Sequence, residues 1–159
     1  PLRRCLDNEM LSVVSGYGPR VGSSFVMRQA KIRGLNVLGT KYLNDAPVAG
    51  NPGGYYDLDD VEVLWANSGV AKVWPRQIPI LRTVPDKMVV LSRGNVDDWL
   101  VSIDKQIKRE KGTMTAEEVL EYTVPLMDQM LVDFPGEVMK VATESLNENI
   151  EEILQFIGE

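Results

Sequence analysis

The chain has no histidine and a single cysteine, Cys5. Without histidine there is no Ser-His-Asp triad, no Cys-His pair, no imidazole metal ligand and no imidazole general base. One cysteine cannot close an internal disulfide, and one thiolate is too few for a zinc framework. Cys5 is therefore expected to be an inert thiol near a frayed end. Long apolar runs are missing too: none approaches the roughly 20 residues that cross a bilayer as a helix. The segment Pro1-Leu2-Arg3-Arg4-Cys5-Leu6-Asp7 is charged and has no apolar stretch before Met10. It does not read as a secretory signal, so a cytoplasmic protein with no membrane partner is expected.

What is present is an ordinary globular composition. Of 159 residues, 44% are apolar and 25% charged, which suits one domain over residues 1–159. The net charge of −6 hides an asymmetry: residues 1–116 carry 16 basic and 12 acidic side chains, whereas residues 117–159 carry one basic residue, Lys140, and 11 acidic ones. The positive part suits a small phosphorylated ligand. The acidic part argues against nucleic acid, which needs clustered Lys and Arg, and reads as the solvated side of surface helices. The sequence does not fix an oligomeric state.

Strands alternate with helices along the chain. Leu11 to Ser15 reads as a buried strand, and a helix opens at Ser23 with Phe25, Val26, Gln29, Ala30 and Ile32 near helical spacing, ending at Gly34. Leu35 to Leu38 reads as a second strand. Residues 43–56 are rich in Gly and Pro and form a long loop of the kind that often serves function. A helix is expected to start at Asp57, and Ala71 to Trp74 forms a strand stopped by Pro75. Lys87 to Ser92 is the clearest later strand. Asp97 or Asp98 then caps an amphipathic helix, Thr115 and Glu118 form a capping box, Val138 to Ala142 is a last strand, and Asn149 to Ile157 a last helix with Gly158 at C′. Trp65, Trp74 and Trp99 are expected in the core or a pocket wall, and the methionines as core filler. This alternation predicts an α/β fold, a three-layer α/β/α arrangement around a parallel sheet of four to five strands, with ligands at the carboxyl edge of the strands.

Two segments reach that edge. In the first, Gly16-Tyr17-Gly18-Pro19-Arg20-Val21-Gly22 leads into Ser23 and Ser24. Glycines let backbone close around a guest, helix N-terminal amides attract an anion, and Arg20, Ser23 and Ser24 add donors. Lys is missing after Gly22, so this is not a Walker A loop. In the second, Ser92-Arg93 ends a strand, and Ser102 lies about one turn into the next helix, a guanidinium and a hydroxyl suited to a second anion. Pairing of Arg93 with Asp97 or Asp98 is the ordinary structural alternative.

The run Pro19-Arg20-Val21-Gly22-Ser23-Ser24 resembles the 5′-phosphosulfate loop of sulfotransferases, and Arg93 through Ser102 resembles that family's 3′-phosphate site. Glu144 to Gly158 is similar to the family's closing segment, and Asn51-Pro52-Gly53-Gly54-Tyr55-Tyr56-Asp57 to a stretch of bacterial and phage sulfotransferase-like proteins. The likeness spans residues 11 to 158. It implies a P-loop-type domain that uses 3′-phosphoadenosine 5′-phosphosulfate (PAPS) as co-substrate, with no metal and with a small-molecule or carbohydrate acceptor. It also implies that Gly18, Pro19, Arg20, Val21, Gly22, Ser23, Ser24, Arg93 and Ser102 hold PAPS. The interval from Arg93 to Ser102 is one residue longer than the family's, and Lys72-Val73-Trp74-Pro75 stands where soluble members place a catalytic His.

Sulfuryl transfer asks a protein to position groups and stabilise charge, tasks suited to Arg20 and to Lys72 at the leaving oxygen. Without His, a carboxylate is the natural base. Asp57 is the first choice, with Asp59 and Glu62 in reserve and a helix N-cap as its structural alternative. Tyr55, Tyr56 and Trp74 could line a pocket for the acceptor or adenine. Two other functions stay open: a nucleotide or small-metabolite kinase with an atypical loop, and a non-catalytic nucleotide-binding or interaction module that kept the fold.

Overall fold

The computed structural model describes residues 10–39 and 56–158. In chain order these form β1 (Leu11–Gly16), α1 (Ser23–Ile32), α2 (Asp60–Trp65), β2 (Gly69–Lys72), a 3-10 turn (Pro75–Ile80), β3 (Lys87–Ser92), α3 (Val96–Arg109), α4 (Ala116–Val132), β4 (Glu137–Ala142), a second 3-10 turn (Thr143–Ser145) and α5 (Leu146–Gly158). The four strands make one parallel sheet in the order β2-β1-β3-β4. Val13 pairs with Ala71 on one side and Met88 on the other.

Helices flank this sheet, and its two inner strands are buried on both faces, β1 along its whole length and β3 over its apolar centre. On one face Val14, Val89 and Leu91 pack with Val26, Met27 and Ala30 of α1 and with Ile153, Leu154 and Ile157 of α5. On the other, Leu11, Val13, Met88 and Val90 pack with Val63 of α2 and Met127 of α4. The chain passes from β1 to β2 on one side and then across to β3 on the other. The crevice at the carboxyl end of β1 is therefore a topological switch point, where open parallel sheets bind ligands.

Several expected boundaries move for identifiable reasons. Leu35 to Leu38 is not a strand. Gly34 and Gly39 both have left-handed backbone, φ 91° and 80°, and turn the chain away on either side. Only Val37 bridges β2, at Val70. The helix expected from Asp57 starts at Asp60, because Asp59 and Glu62 close a capping box around its first turn. The strand expected at 71–74 is shifted to Gly69–Lys72, since the Trp74 amide donates to the Gln77 side chain and opens the 3-10 turn. Asn95, not Asp97 or Asp98, caps α3 through its side-chain oxygen. The final helix begins at Leu146, and Gly158 is its last residue rather than its C′.

Side-chain placement departs as well. Trp65 is 64% exposed, with the Arg82 guanidinium 4.8 Å from its ring centroid. Ile32 is exposed rather than on the core side of α1, and of the methionines Met27, Met88 and Met127 are buried while Met114 is not. Cys5, Tyr55 and residues 43–55 of the expected loop lie outside the described residues. Among the described residues no helix is long and apolar enough to cross a membrane.

Candidate functional site

The turn from β1 into α1 is held in shape from outside. Gly18 is buried, and a Cβ there would lie 2.7 Å from Leu120 and 2.9 Å from Trp99. Its part is close packing, and it is not among the residues lining the cavity described below. Arg20 and Gly22 both take left-handed backbone, φ 63° and 93°. Alternating hands of this kind turn successive peptide groups into an anion-binding concavity. The Trp99 indole N–H donates to Pro19 O at 2.7 Å, and Thr143 Oγ1 sits 2.6 Å from Val21 O and 3.1 Å from Ser92 O. Glu144 accepts from the Gly94 and Asn95 amides at 2.9 and 3.1 Å, and those two hydrogen bonds hold its carboxyl below the ordinary range. The first turn of α1 follows, and such turns carry amides with no acceptor in their own helix.

One cavity of about 730 Å³ opens over this turn. Pro19, Arg20, Val21, Gly22, Ser23, Ser24, Asp57, Lys72, Arg93 and Ser102 all line it. Residues from β1–α1, β2, the end of β3 and α3 thus converge at the switch point. Trp74, the 3-10 turn's N-cap, lines it too, whereas the reserve carboxylates Asp59 and Glu62 are tied up capping α2 and do not.

The cations divide into two groups. At the β3 end, Arg20 Nε donates to Ser102 Oγ at 3.4 Å, and Arg93 Nη1 donates to the Arg20 carbonyl at 3.3 Å. Arg93 Nε is buried and has no hydrogen-bond partner among the described residues. Arg93 pairs with neither Asp97 nor Asp98, so the ordinary alternative for it fails. The long Arg20 side chain leans toward α3, which joins the two motifs read separately in the sequence into one polar cluster.

At the β2 end stands Lys72, only 6% exposed. Its ammonium is 3.2 Å from Ser24 Oγ, 2.9 Å from Asp57 Oδ1 and 5.4 Å from the centroid of Trp74. Burial pushes its pKa down, the Asp57 carboxylate pulls it up, and Arg20 adds a smaller downward push. Asp57 is 44% exposed and neither buried nor a cap: it bridges to Lys72 in strand register and answers the ammonium.

Phe25, Arg28, Gln106, Ile107, Glu110, Val119 and Thr143 also line the cavity, and the sequence did not mark them as site residues. Arg28 was legible in principle, because it follows Ser24 by four residues and Phe25 by three and so shares a helix side with each. Thr143 opens the second 3-10 turn, distant in sequence from the first loop, and no local pattern marks it. The whole is an α/β domain with a two-ended, cation-rich cleft at the carboxyl edge of its sheet. Compared with protein-family models and with curated proteins, the chain matches none.

Proposed function

We propose that this chain is a P-loop-type sulfotransferase that moves a sulfuryl group from PAPS to a hydroxyl or amine of a small acceptor. The observation that carries the reading is the grouping of cations by their hydrogen bonds within one cavity: Lys72 with Ser24, and Arg20 with Ser102 and Arg93. A donor with a 5′-phosphosulfate and a 3′-phosphate needs two such places. The unpartnered Arg93 Nε offers a charge-assisted donor for the 3′-phosphate. The turn before α1 and the Lys72 ammonium suit the phosphosulfate.

In the reaction the acceptor oxygen or nitrogen forms a bond to sulfur. The bond between sulfur and the bridging oxygen breaks, and its electron pair leaves with the 5′-phosphate. Lys72 neutralises the charge that develops on that oxygen. The acceptor's proton passes to Asp57, which borders the same end of the cavity. Tight positioning supplies much of the acceleration in such transfers.

A second reading has one observation behind it. Lys72 Nζ stands 3.2 Å from Ser24 Oγ, so β2 supplies a lysine to the loop that lacks its own. That arrangement also suits a phosphoryl donor and a kinase. Thermal unfolding separates the two, because a ligand that binds only folded protein raises its stability. The sulfotransferase reading predicts a raised Tm with 3′-phosphoadenosine 5′-phosphate and none with ATP and Mg²⁺. The reverse pattern supports a kinase, and no shift with either supports a module that does not bind these nucleotides.

A further inference from the structure

Arg28 has no part in the nucleotide clamps above, yet it faces the same cavity. It lies on α1 four residues after Ser24, about 6 Å further along the helix axis and away from the phosphate turn. It forms no ion pair among the described residues. Of the lining carboxylates, Asp57 is engaged by Lys72 at 2.9 Å. Glu110, the C-cap of α3, accepts from the Gln106 side chain at 3.2 Å. The guanidinium is instead 5.9 Å from the Phe25 ring centroid and near Tyr56, whose phenol pKa is raised by burial, with Arg28 offsetting part of that rise. Phe25 and Trp74 complete this end of the cavity with aromatic surface.

We propose that Arg28 selects the acceptor: the transferred group goes to a hydroxyl on a ring that also carries a carboxylate, which Arg28 binds while Phe25 and Trp74 offer the ring a face. The inference rests on the sulfotransferase reading, since it needs the nucleotide to occupy the Arg93 end and leave the Arg28 end to the acceptor. A half-buried guanidinium whose neighbours among the described residues are the aromatic rings of Phe25 and Tyr56 is a strong carboxylate binder, because planar paired donors match both oxygens. A spacing of one helical turn between Ser24 and Arg28 puts the anion one ring's breadth from the place where sulfur is transferred. Neutral acceptors would leave the guanidinium without a counter-charge.

The test is calorimetric binding of matched pairs to protein saturated with 3′-phosphoadenosine 5′-phosphate: 4-hydroxybenzoate against 4-hydroxybenzamide, and glucuronate against glucose. The acid of each pair is expected to bind about tenfold or more tightly than its neutral partner, as a charge-assisted contact implies. Arg28→Gln is expected to erase that preference while leaving nucleotide affinity as it is, and Arg28→Lys to restore part of it. Equal binding of acid and neutral partner, absence of binding by both, or a preference that survives Arg28→Gln overturns the inference. If the nucleotide itself does not bind the native protein, the underlying reading falls, and this inference with it; if the nucleotide binds and the preference is absent, only the acceptor assignment falls.

Discussion

The two ends of the cleft are built in opposite ways. At the β3 end, charge is held by contacts: Arg93 reaches the Arg20 carbonyl, Arg20 reaches Ser102, and Trp99, Thr143 and Glu144 fasten the backbone around them. At the β2 end, charge is held by burial: one ammonium, 6% exposed, is offset by one half-exposed carboxylate. Guanidinium groups stay charged wherever they are put, whereas burial pushes the pKa of an amine down. The first arrangement suits steady grip on a phosphate. The second suits a group whose charge matters most while a bond is breaking.

The sharpest way to break this contrast is Lys72→Met. The change keeps the packed volume and removes the charge. Turnover with PAPS should fall by about 10²- to 10³-fold, the cost of losing one transition-state donor. Tm at neutral pH should rise, because a buried charge held down by desolvation is gone. Lost stability together with retained turnover would reverse the roles assigned to this end.

Next in size is Gly22→Ala. Its φ of 93° is in the left-handed region, and the added methyl would meet Leu146 at 2.7 Å. Denaturant unfolding should show a loss of roughly 1–3 kcal/mol, and nucleotide affinity should drop with it. A smaller effect is expected for Trp99→Phe, which deletes the 2.7 Å hydrogen bond to Pro19 O but keeps an aromatic ring. A loss of about 1 kcal/mol is expected by the same measurement.

Acidity gives the finest probe of the difference. Lys72 is held below its ordinary value of 10.5, chiefly by burial. Between that lowered value and 10.5 the unfolded chain binds more protons at this site than the folded one, so stability of the free protein rises with pH there. Affinity for an anionic nucleotide runs the other way, full below the lowered pKa and falling as pH climbs through it. Asp57→Asn removes the charge that pulls Lys72 up, so the fall should move to lower pH in a calorimetric series. Arg93→Gln should leave its position where it was.

Much of this was legible in the sequence for a local reason. The β1 strand, the Gly-Pro turn, the serines that open α1 and the Thr115 capping box are each written within a few consecutive residues, where chain geometry and hydrogen-bonding type act directly. The pairing of Lys72 with Asp57 was not, although both residues were expected at the site: it depends on two segments meeting in strand register. The lean of Arg20 toward Ser102, 82 residues away, depends on where α3 crosses the edge. Leu35 to Leu38 misled because its composition is that of a strand, while the flanking left-handed glycines decide its path. Arg28 escaped because an arginine on a helix reads as solvated until the opposite wall is known.

One measurement bears most directly on a cleft with two anion places: calorimetric affinities of 3′-phosphoadenosine 5′-phosphate, adenosine 5′-phosphate and adenosine 3′-phosphate for the same preparation. With both places occupied at once, the bisphosphate should bind at least about tenfold more tightly than either monophosphate, and Arg93→Gln should bring it level with the 5′-monophosphate. Equal affinities for all three in the native protein would contradict the account.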